Sequence, residues 1–167
     1  MRDGYNRDSR QDVRRPSDAE EHASAIINEG EPGTKKVSAT TDIMARILII
    51  DDDRMVLNML RQVLESVDHT VVEAPNGEVA MRLWREQPAD LIITDILMPE
   101  KDGLEVIREL RRECPTVKVI ALSGGSRKVH FDALDVAKRF GAVSTLEKPF
   151  ELKTLLTSVD TVLNTNP

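Results

Sequence analysis

The chain contains one cysteine, Cys114, among 167 residues. No internal disulfide can form, which excludes a disulfide-stapled scaffold and suits a reducing compartment. Cys114 has no His or Cys beside it in the sequence, so it is read as a small half-buried residue rather than a metal ligand. Long apolar runs are also missing. None approaches the roughly 20 residues a spanning helix needs, and the N-terminus lacks the apolar stretch of a signal peptide. Positive charge is not in excess: the formal net charge is -6, which argues against nucleic-acid binding by charge alone. A soluble cytoplasmic protein with no membrane insertion and no nucleic-acid partner is expected.

What is present divides at residue 43. Residues 1–43 mix charges of both signs with Gly, Pro and Ser, and their one adjacent apolar pair is Ile26-Ile27. Such a segment buries too little surface to offset its ordering entropy. It is expected to be a disordered extension, with at most a short helix around Ala19 to Asn28. The compact pattern starts right after Met44, so Met44 is read as a natural start and residues 1–43 as an over-extended gene model. A tail that tethers a partner is the rival reading, and the N-terminal peptide of the native protein decides between them.

From residue 45 short Ile- and Val-rich runs alternate with stretches of helical spacing. The runs 46–50, 69–74, 91–94, 118–123 and 143–147 are predicted strands. Helices are predicted over about 55–67, 78–86, 104–113, within 129–140, and over about 151–163. Pro75-Asn76-Gly77 and Asp102-Gly103 are read as turns. Five such units imply an α/β fold, a doubly wound parallel sheet covered on both faces.

The chemistry gathers at the strand ends, where such sheets bind ligands. The first strand ends in Asp51-Asp52-Asp53, the third in Asp95, the fourth in Ser123, and the fifth in Lys148-Pro149. Each alone has an ordinary explanation: Asp53 as a helix N-cap, Ser123 as turn chemistry, Lys148 as an exposed cation. Together they place carboxylates, a hydroxyl and an ammonium at one edge. Clustered carboxylates repel unless a cation sits among them, and oxygen ligands suit Mg²⁺ rather than zinc.

Residues 45 to about 164 resemble the receiver domain of two-component response regulators. The resemblance is carried by ILIIDDD (47–53), DILMPEKDG (95–103), VIALSGG (119–125) and LEKPF (146–150). It implies a five-stranded, flavodoxin-like sheet of order 2-1-3-4-5. It implies Asp95 as phosphoacceptor, with Asp51, Asp52, Asp95 and the backbone carbonyl of Leu97 holding Mg²⁺. Ser123 and Lys148 would contact the phosphoryl group, and the Lys148–Pro149 bond would be cis. The donor would be a sensor histidine kinase or a histidine phosphotransfer protein, met near Met55 to Leu64. Activation would move the face formed by the fourth helix, fifth strand and fifth helix.

Three departures from the family pattern stand out. The switch position, usually aromatic, is Thr145. The stretch from Ser123 to Lys148 is slightly long. The positions that often orient the attacking water are Leu97 and Gly125, which implies slow loss of the phosphoryl group. A Leu97→Asn, Gly125→Glu variant should therefore dephosphorylate faster, as measured by the decay of intact-mass occupancy. No output domain follows residue 164, so action by binding an unknown downstream protein is expected, not enzyme turnover. Two other readings compete. One is a haloacid dehalogenase-like phosphatase using Asp51 and Asp53; the other is a receiver-like module that is never phosphorylated. His22, His69 and His130 fit no phosphohistidine pattern and are expected to be solvated or half-buried.

Overall fold

The computed structural model describes residues 44–124 and 127–165, without the side chains of 127–132. The extension, the helix around Ala19 to Asn28, His22, Gly125 and the side chain of His130 therefore lie outside the described residues. The elements run β1 (Arg46–Ile50), α1 (Arg54–Glu65), β2 (Thr70–Ala74), α2 (Gly77–Glu86), β3 (Leu91–Asp95), α3 (Gly103–Glu113), β4 (Lys118–Ser123), α4 (Arg127–Phe140), β5 (Ser144–Glu147) and α5 (Leu152–Asn164). All strand pairs are parallel, in the order β2-β1-β3-β4-β5.

The two-residue period of a strand sorts the core into two halves. Leu48, Ile50 and Ile92 face Trp84 of α2 and Val106, Ile107 and Leu110 of α3. Ile47, Ile49, Leu91 and Ile93 face Leu57, Leu60 and Leu64 of α1 and Leu155, Val159 and Val162 of α5. Both faces are thus covered, which is why β1 and β3 are continuously apolar rather than alternating. Each fully buried Leu or Ile contributes about 1.5–3 kcal/mol, and β1 and β3 supply several of them. No helix among the described residues is long and apolar enough to cross a membrane.

Helix starts follow side-chain caps. Asp53, Asn76 and Asp102 accept the backbone N–H of Met55, Val79 and Glu105 at 2.8, 2.9 and 2.8 Å, satisfying donors that the first turn leaves open. These caps correct two expected boundaries. Gly77 opens α2 instead of closing a turn, and Gly103 opens α3. At the other end of α1, Val67 is outside the helix, and the chain reverses through Asp68 at φ 63°. His69 corrects an expectation as well. It is 8% exposed, and its Nδ1 accepts the Ala45 N–H at 3.3 Å. Its own N–H bonds Leu64 O rather than the ladder, so β2 starts one residue later than expected. β5 likewise starts at Ser144, not Val143, and β3 extends to include Asp95.

Candidate functional site

Strand order brings the chemistry together. Ile50 pairs with Thr94, so the next residues, Asp51 and Asp95, emerge side by side at the C-terminal edge. Asp95 pairs with Leu122, and Ser123 with Glu147, which carries Ser123 and Lys148 to the same edge. The Lys148 N–H donates to Ser123 O at 2.7 Å. The Lys148–Pro149 bond is cis, as the resemblance implied.

The Lys148 ammonium stands between the two carboxylates. Its Nζ donates to Asp51 Oδ2 at 2.6 Å and lies 2.8 Å from Asp95 Oδ1. Asp51 and Asp95 are 1% and 4% exposed, and Ser123 is fully buried. The other carboxylate oxygens meet backbone donors: Asp51 Oδ1 accepts from Asp53 N and Asp95 Oδ2 from Leu97 N, both at 2.9 Å. Burial pushes the Asp95 carboxyl above its ordinary range, and the nearby Asp51 charge adds to this; Lys148 and the Leu97 N–H oppose it without cancelling it. Burial alone lowers the Lys148 ammonium, but its hydrogen bond to Asp51 and its ion pair with Asp95 win and hold it above its usual value. The lysine is therefore charged at neutral pH, and burial works against the charge on Asp95.

The donor chemistry fits a hard divalent cation. Asp95 Oδ1 is buried, and although Lys148 is in ion-pair contact with it, the contact is off the line of a hydrogen bond and the oxygen has no aligned donor. An acceptor with unused lone pairs is what an oxygen-loving ion requires. The full expected ligand set is not drawn together, however. Asp52 is exposed, and among the described residues no three His, Cys, Asp or Glu side chains form a metal-holding group. Lys148 offsets one of the two charges of the Asp51–Asp95 pair, while Asp52 faces solvent.

Two contributors escaped the sequence reading. Thr94, fully buried, donates its hydroxyl to Asp95 O at 2.9 Å. Gly103 lies so close that a Cβ there would sit 2.0 Å from the same carbonyl. The Asp102-Gly103 pair was the visible signal, but a turn accounts for it equally well. Thr145 is half-buried and pairs with Ala121 in the ladder. Asp53, the acid that a phosphatase reading requires, is exposed and committed to the α1 cap.

Residues 47–160 match the family model of the response regulator receiver domain. The DNA-binding transcriptional regulator NtrC of Azospirillum brasilense is 36% identical over 122 residues, 73% of this chain but 25% of that protein. The chain thus spans about a quarter of the length of that relative. Protein PilH of Pseudomonas aeruginosa is 33% identical over 120 residues, covering 72% of this chain and 98% of PilH. Among solved structures, a response regulator receiver domain protein from Clostridium thermocellum superposes with a TM-score of 0.67 at 29% identity, covering 72% of this chain and 95% of that one.

Proposed function

Because this chain belongs to the response regulator receiver domain family, we propose that it is a phosphoryl-accepting signalling domain whose nucleophile is Asp95. The observation that carries the reading is the Asp51–Lys148–Asp95 arrangement, two buried carboxylates sharing one ammonium at adjacent strand ends. A carboxylate oxygen of Asp95 attacks the donor phosphorus. The new O–P bond forms as the donor's bond breaks: the P–N bond of a phosphohistidine, whose imidazole keeps the electron pair, or the P–O bond of acetyl phosphate, which leaves as acetate. Lys148 is placed to balance charge on the phosphoryl oxygens, and Ser123 offers them a hydroxyl from the same edge.

Receiver domains of this family typically bind Mg²⁺ at the acidic pocket. Here Asp51, Asp52, Asp95 and the Leu97 carbonyl would hold it. When bound, it supplies charge neutralisation that lets an anionic carboxylate approach an anionic phosphoryl group. The donor is a sensor histidine kinase or phosphotransfer protein, and the output is binding of a downstream protein. Such a domain transfers one phosphoryl group to itself rather than turning over a substrate.

Intact mass after incubation with acetyl phosphate and Mg²⁺ tests the reading. One added phosphoryl group is expected on wild type and none on Asp95→Asn. Equal addition to both would move the nucleophile elsewhere and sink the assignment.

A further inference from the structure

Building on Asp95 as phosphoacceptor, we propose that phosphorylation is relayed to α2 through the ion chain Lys101–Glu109–Arg85. This makes the α2–α3 side of the sheet a responding element of the domain. The loop between β3 and α3 starts at the nucleophile and is closed at its neck, where the Gly103 N–H bonds Ile96 O at 3.0 Å. Within it, Leu97 holds Asp95 Oδ2 through its N–H, Met98 is buried, and Glu100 has φ 68°. Lys101 is where the loop meets α2. A Cβ on Gly77, the first residue of α2, would lie 2.9 Å from both Lys101 O and Lys101 Cγ. The helix therefore rests directly on the loop.

Charge extends that contact. The Lys101 ammonium pairs with Glu109 of α3, and Glu109 also takes the guanidinium of Arg85 in α2. Arg85 continues to Glu113, with Nη2 2.5 Å from Oε1 and Nε 3.2 Å from Oε2. The Lys101 and Glu109 side chains are 21% and 23% exposed, so this pair is better shielded than an ordinary surface pair. The Glu109 carboxyl is held below its usual range, first by the Lys101 hydrogen bond, which agrees with the geometry.

Phosphorylation turns the Asp95 carboxylate into a mixed anhydride and adds a group of about -1.5 to -2 charge. The contacts from the Leu97 N–H and Lys148 must then re-form. With the neck closed, displacement of Leu97 passes along the loop toward Lys101. A displacement of Lys101 bears on Glu109 through their ion pair, and on α2 through Arg85, whose side chain is 50% exposed. The alternative relay through the switch position lacks its moving part, since Thr145 has no ring to swing.

Amide hydrogen exchange on the full chain, with and without acetyl phosphate and Mg²⁺, tests this for wild type, Glu109→Gln and Lys101→Met. Intact mass on the same samples counts the phosphoryl group. Exchange across Gly77–Glu86 is expected to change by about threefold on phosphorylation in wild type, a size that a partly covered ion pair can transmit. The change should vanish in both variants while phosphoryl occupancy stays equal to wild type. Each protein is compared with its own unphosphorylated form, so any basal loosening of α2 cancels. A change that persists in either variant, or that never occurs in phosphorylated wild type, overturns the relay. Absence of the phosphoryl group in wild type overturns the phosphoacceptor reading, and the relay with it.

Discussion

Adding one methyl group at Gly103 is expected to destabilise the domain by about 3 kcal/mol and to abolish phosphoryl uptake. The Cβ of Gly103→Ala would stand 2.0 Å from Asp95 O and 2.9 Å from Asp95 C and Ile96 Cα. All three are backbone atoms, so no side-chain rotation relieves the clash. Either the start of α3 lifts away, breaking the Gly103–Ile96 neck and the Asp102 cap, or the end of β3 yields and displaces Asp95. Both outcomes damage the site. Gly124→Ala provides the comparison: its Cβ would meet Lys148 Cδ at 3.1 Å, a flexible side chain that can shift by a few tenths of an ångström. Urea unfolding of the two variants beside wild type, with phosphoryl occupancy by mass, checks the contrast. Equal, mild losses in both would mean that the neck is softer than its geometry implies.

The second large effect concerns charge. Removing the ammonium in Lys148→Ala leaves two nearly fully buried carboxylates facing each other, and breaking such a buried pair costs about 3–5 kcal/mol. The pH dependence follows from the direction of each shift. Lys148 has its folded pKa raised above 10.5, so its contribution is complete below that value and is lost only as pH rises through the folded pKa. At neutral pH the full contribution is therefore at stake. Asp95 is already raised above 3.8 in the wild type, and loss of its cation raises it further. Below the unfolded value the carboxyl is neutral in both states and the penalty disappears; it grows as pH climbs from the unfolded value to the raised folded value and is complete above it. The stability gap between variant and wild type should therefore be widest at neutral pH and close as pH falls below about 4. Millimolar Mg²⁺ should recover more stability in the variant than in wild type, because a bound cation replaces the missing ammonium. Urea midpoints across pH in chelator, then in Mg²⁺, measure both. A pH-independent gap would assign the loss to side-chain packing and not to charge.

The fold was legible because periodicity is a local property. Runs such as Ile47–Ile50 and Leu91–Thr94 declare buried strands without any partner in view, and Pro88, Pro115 and Gly141 mark where helices stop. Strand order was not local. It came from the family resemblance, and with it the proximity of Asp51 and Lys148, 97 residues apart in sequence. The errors at the starts of α2 and α3 share one cause. Asn76 and Asp102 are turn-forming and cap-forming residues alike, and only the N–H that each accepts distinguishes the two. His69 was expected to be solvated or half-buried because its partner, the Ala45 N–H, comes from the residue just before β1, distant in sequence. The Lys101–Glu109–Arg85 chain was invisible for the same reason. Charges are abundant along these helices, and nothing in their order says which will meet.

The scarcity of aromatic residues has a practical consequence. Trp84 is the single tryptophan, and the single tyrosine, Tyr5, lies outside the described residues. Trp84 sits on the inward side of α2, 8% exposed, packed within the same half of the core as Val106 and Leu110. The indole emission of this protein is therefore a gauge mounted on one helix, reporting the seating of α2 on the sheet with no label and no competing tryptophan.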